Sequence, residues 1–156
     1  MNTECLRIAD QLRRSYEGKA WHGPSLREIL SGITAEQAKT HSIQGAHSIW
    51  ELVLHIEAWQ LAALNATKGT PMPSSDFEGD WPKIGDGSPN SWQKALERFF
   101  VTNEALASAV SQFGDARLTE IVPGRKYDFY FLFHGIVQHG LYHGGQIVLV
   151  KKSAQP

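Results

Sequence analysis

Apolar residues recur every three or four positions along four stretches of this chain, and three of those stretches close on a glycine. From Thr3 to about Glu17, Leu6, Ile8, Ala9 and Leu12 fall among charges at helical spacing, with Gly18 as a stop. "SIWELVLHIEAWQLAALNATKG" opens on Ser48 with Glu51 three residues on. That is the capping-box arrangement, in which side chains satisfy the backbone donors of a first helical turn. "SWQKALERFFVTNEALASAVSQFG" repeats Trp92, Leu96, Phe99, Phe100, Leu106 and Val110 before Gly114. A fourth helix is expected from about Phe129 to Lys152. Its β-branched and aromatic residues also suit a strand, but its length and a four-residue histidine spacing favour helix.

The connections carry different signals. In the first, "GPSLREILSG" and "TAEQAK" suit short helical turns, with Pro24 in a first turn and Ser25 or Thr34 as caps. Thr70 to Asn90 is rich in Pro, Gly, Ser and Asp and far longer than neighbouring antiparallel helices require, so it predicts a crossover anchored by Trp81. "DARLTEIVPGRKYD" is a turn-rich bridge. No internal repeat interrupts the pattern. The expectation is an all-α four-helix bundle forming one domain over residues 1–156.

Charge narrows the partners. The chain has 15 Lys plus Arg against 16 Asp plus Glu, a formal net charge of -1, so no global field draws it to a phosphate backbone or an anionic membrane. The partner expected is a small molecule, with no nucleic acid and no membrane. The one cysteine, Cys5, rules out an intramolecular disulfide and a Cys-based zinc site, and it suits a small buried residue more than a reactive thiol. The first residues hold charges throughout with no apolar leader segment, which fits a cytoplasmic protein.

Candidate chemistry lies in the histidines. On the fourth helix Leu132, Ile136, His139, His143, Ile147 and Val150 form one stripe; on the second, Leu52, His55, Trp59, Ala62 and Ala66 form another. Three histidines therefore point inward from two helices. A lone buried histidine usually just hydrogen-bonds a neighbour, but three neutral imidazoles in an apolar core need partners for their ring nitrogens, and a divalent metal satisfies all three. Zinc, nickel and iron(II) suit imidazole, whereas calcium and magnesium prefer oxygen.

The remaining histidines fit less well. His134 lies about 140° around the helix from His139, and His47 about 12 Å along the axis from His55. His22 and His41 fall in the connector and suit a solvated surface. Gly140 stands where a zinc peptidase of the His-Glu-x-x-His type has its catalytic Glu. Glu51 and Gln146 are the candidate supports behind the ligands, although capping alone accounts for Glu51. Tyr142 lies about 100° off the stripe and suits packing against a partner. Gly135, Gly140, Gly144 and Gly145 each cost the fourth helix about 1 kcal/mol, which close helix approach or room for a ligand would offset.

"AHSIWELVLHIEAW" followed by "QHGLYHGGQIVLVKK", together with "WHGPSLREIL" and "GDWP", resembles the DinB/YfiT-like superfamily over nearly the whole chain. The resemblance implies up-down-down-up topology. It also implies a divalent metal, zinc or nickel ahead of iron or manganese, held by His55, His139 and His143, and it suggests a homodimer. Relatives include thiol-dependent isomerases and S-transferases, so the expected function is transfer or isomerisation with a low-molecular-weight thiol. Hydrolysis by metal-bound water and a non-catalytic metal-binding bundle are the alternatives. No catalytic residue beyond the metal set stands out.

Overall fold

The computed structural model describes residues 3–74 and 77–154; Ser75 and Asp76 of the expected crossover lie outside the described residues. The fold is all-α. Its helices are α1 (Thr3–Glu17), α2 (Leu26–Leu30), α3 (Ala35–Lys39), α4 (Ile49–Ala66), α5 (Pro89–Phe113) and α6 (Phe129–Ser153), with a 3-10 turn at Asp115–Arg117. The only bridge among the described residues joins Ile121 and Asp128, so the β-branched residues of α6 did not decide its conformation.

Helix ends follow local chemistry. Ser25, Thr34 and Ser48 each accept from the backbone three residues on, and Glu28, Gln37 and Glu51 reach back to complete the box. Pro24 sits one residue before the Ser25 cap, outside the first turn; the proline that does start a helix is Pro89. Asp115 caps α1 from a distance, its carboxylate accepting the backbone N–H groups of Glu4 and Cys5 at 3.1 and 2.9 Å.

The long helices form a ring in which α1 packs on α5 and α6, and α4 packs on the same two. Neighbouring residues give their relative directions. Arg13 bonds Glu104 while Tyr16 meets Phe99, so α1 and α5 run oppositely. Trp50 meets Trp92, Arg98 bonds Glu57 and Gln60 bonds Asn103, so α4 and α5 run the same way. The 18 residues of α4 span about 27 Å, a length the chain must retrace before α5 begins. That return is the physical reason for the long connection after Gly69.

Two apolar clusters fill the bundle. One holds Tyr16, Leu26, Trp50, Ile56, Phe99 and Ile147; the other holds Ile8, Leu12, Ala63, Leu106, Phe133 and Ile136. Polar side chains occupy the level between them on α4, α5 and α6: His55 and Gln60, Asn103, and His143 are all buried. The candidate site belongs to this layer.

Candidate metal centre

The ring nitrogens of His55, His139 and His143 converge. One nitrogen from each lies within 4.8 Å of the other two, and Nε2 of His55 is 3.0 Å from Nε2 of His139. His55 and His143 are 6% and 7% exposed, whereas His139 is half-buried at the edge of the cluster.

The outward nitrogens reveal the tautomers. Nδ1 of His55 donates to the backbone carbonyl of Asp80 at 2.7 Å, and Nδ1 of His143 donates to Oε1 of Gln146 at 2.6 Å. Carbonyl oxygens only accept, so both Nδ1 atoms carry a proton, and in the neutral ring Nε2 is then the atom that presents a lone pair. Charge is disfavoured here. Burial, and then the neighbouring His143 and His55, push His139 down to about 3. Burial also pushes His143 down, against its bond to Gln146. His139 and His143 are thereby held toward the neutral form, the state in which imidazole binds metal.

The crossover closes one side. The Oδ1 atom of Asp80 accepts from Nε1 of Trp59 at 2.7 Å and lies 3.3 Å from Nδ1 of His55. Trp81 stacks within 9° of parallel on both His55 and His47, with centroids 4.0 and 3.5 Å away. On the other side a cavity of about 370 Å³ reaches His55 and His139 between α4, the start of α6 and the crossover.

Residues 20–147 match the DinB superfamily. The chain belongs to the DinB superfamily. No curated protein and no solved structure matched it. In this DinB protein the three expected histidines are therefore together, two of them buried and His139 half-buried, and they can hold a metal ion.

Other expectations divide. Gln146 stands behind His143 as expected. Glu51 does not stand behind His55: its Oε2 accepts the Ser48 N–H at 2.8 Å and meets Nε2 of His41 at 2.9 Å, which makes it a cap. His134 packs against Tyr130 away from the cluster. Cys5 is fully buried, and burial followed by its bond to Asp115 raises its thiol to about 11, so it is no nucleophile.

The glycines of α6 serve two ends. A Cβ on Gly140 would sit 2.6 Å from the Tyr16 hydroxyl, and one on Gly144 would sit 3.2 Å from Leu26; these two admit α1 and α2. Gly135 and Gly145 meet nothing within 4 Å, and Gly135 lines the cavity. Asp80, Trp81 and His47 were not foreseen as parts of the site. The available signal was an acid beside a tryptophan and a proline in "GDWP", polar chemistry and a rigid turn inside a loop rich in Pro, Gly, Ser and Asp.

Proposed function

We propose that His55, His139 and His143 hold one divalent transition metal, zinc or nickel ahead of iron or manganese, and that the site transfers or isomerises with a low-molecular-weight thiol. The observation that carries the metal is the pair of outward Nδ1 bonds. They turn Nε2 of two buried rings toward one point, where a His139 to His55 hydrogen bond alone would leave Nε2 of His143 unused. Zinc–nitrogen bonds of about 2.0–2.1 Å put ligand nitrogens roughly 3.4 Å apart, inside the spread found here. Such an ion, when bound, lowers the pKa of a coordinated thiol or water.

The chain's own residues do the rest. Three neutral imidazoles bring no negative charge, which favours an anionic thiolate as an added ligand. The Asp80 carbonyl and Gln146 hold two of the rings in orientation. Trp59 and Trp81 pack against the histidines and exclude water. Cys5 is inert, so the thiol must be a cosubstrate.

One observation favours a second reading, hydrolysis: the Asp80 carboxylate lines the cavity beside His55 and gives a water-based reaction an acid–base group. Elemental analysis of protein purified without a nickel column should find about one metal per chain, sharply reduced in the His55→Ala, His139→Ala and His143→Ala variants and retained in His134→Ala. Equal content in all four would end the assignment. Metal-loaded protein given an electrophile and a panel of small thiols should form the thiol adduct. Thiol-independent ester hydrolysis that disappears in His143→Ala, with no adduct, would establish the second reading instead.

A further inference from the structure

The cavity beside His55 and His139 has a wall of one character. Trp59, Tyr127 and Phe131 contribute rings, and Met72, Leu132 and Ile136 complete the apolar lining. Asp80 is its one ionisable side chain besides the two histidines and Tyr127, and no Lys or Arg among the described residues is part of it. Its volume of about 370 Å³ falls in the lower part of the range for small-molecule sites.

We infer that this cavity seats the body of the electrophile and selects an uncharged aromatic or branched-alkyl group. The inference rests on the thiol-transfer reading for what is seated there, and on the wall alone for its chemical class. An anionic body would face Asp80 and find no cation to replace its lost water. A cationic body would find ring faces, but the Asp80 carboxylate beside them has Oδ1 already accepting from Trp59 and lying against the His55 Nδ1–H, which leaves only Oδ2 to offer it. An ion on the histidines would also repel it. A neutral apolar body loses nothing on entering and buries surface against six side chains. Gly135 sets the depth, because a Cβ there meets nothing within 4 Å and any larger side chain would project into open space beside the wall.

The test uses metal-loaded full-length protein and three unreactive probes sharing one fused-ring body: naphthylmethanol, naphthalenesulfonate and naphthyltrimethylammonium. Calorimetry should show the alcohol binding at least about tenfold more tightly than either ion. Gly135→Leu should weaken alcohol binding by roughly tenfold or more at unchanged metal content, with Gly135→Ala in between. Should the leucine variant fail to fold, the alanine variant decides. Either ion binding as tightly as the alcohol, or alcohol binding indifferent to residue 135, overturns the inference. Because the probes carry no group to transfer, their binding is read independently of the electrophile and thiol assay: tight alcohol binding together with no adduct in that assay would remove the thiol reading and leave the cavity's selectivity standing.

Discussion

Gly140 and Tyr16 show how a single missing methyl places a helix. Gly140 follows His139, and a Cβ there would meet the Tyr16 hydroxyl at 2.6 Å and its ring at 3.2 Å. The glycine costs α6 about 1 kcal/mol of helix propensity and lets α1 approach at the level of the metal ligands. The Tyr16 hydroxyl is fully buried and has no hydrogen-bonding partner among the described residues, nor has Oε1 of Gln60. Burial raises the phenol's pKa well above its ordinary value, and Gln60 opposes the shift. Gly140→Ala should therefore cost about 1–3 kcal/mol through overpacking, and Tyr16→Phe alone should be close to neutral, since it removes a polar atom that bonds nothing. Made together they should cost less than their sum, because the hydroxyl is the nearest obstacle, yet more than zero, because the ring carbon remains. Urea denaturation of all four proteins measures the coupling; strict additivity would mean that the hydroxyl does not set the approach. Gly145→Ala, with nothing within 4 Å, should instead gain about 1 kcal/mol.

Helices and loops supply the site unequally. Glu51 and Gln146 look alike in sequence, each a polar residue near a ligand histidine, but Glu51 belongs to the start of α4 and Gln146 to the centre. Glu51→Ala should lower stability by about 1 kcal/mol and leave metal affinity unchanged, whereas Gln146→Ala should weaken metal binding roughly 10- to 100-fold. Competition with a chelator reads the affinity and thermal unfolding reads the cap; metal loss in Glu51→Ala equal to that in Gln146→Ala would refute the distinction. The same contrast explains what the sequence made legible. His55, His139 and His143 could be found because helical periodicity fixes where a side chain points before any tertiary contact forms. The caps Ser25 and Thr34 of the connector were readable for the same local reason, although Glu28 and Gln37, which complete their boxes, were not singled out. Asp80 and Trp81 sit in a loop without period, and their positions come from contacts with residues more than twenty places away: Trp59 and His55 in one case, His47 and His55 in the other. His47, distant from His55 along the helix axis, joins the site through the Trp81 ring.

At the scale of the molecule, two imidazoles held below their ordinary pKa, His139 and His143, make the stability of the bundle fall toward acid. Unfolded, His139 titrates near its ordinary value of 6.5; folded, it is held down to about 3. Between those values the unfolded chain binds a proton that the folded chain refuses, so stability falls as pH falls through that window and is level above it. His143 shifts in the same direction and adds to the effect. The carboxylates held low by hydrogen bonds, Glu28 and Asp115 among them, also lose stability in acid, but only once pH nears the carboxylate range. Metal-free protein should therefore weaken between about pH 6.5 and pH 5, before those carboxylates contribute, with a slope of at most about 1.4 kcal/mol per pH unit for each full proton. His139→Gln should flatten that slope, because a side chain that never ionises removes the difference between the two states. A metal on the three nitrogens needs them unprotonated and adds stability only to the folded chain. Its protection should therefore be large near neutrality and shrink as protons compete for the ligands. Urea midpoints measured with and without metal from about pH 8 to pH 5 test both statements. A metal-free midpoint that stays constant down to pH 5, or that falls equally in His139→Gln, would show that the buried histidines do not govern the acid sensitivity of the bundle.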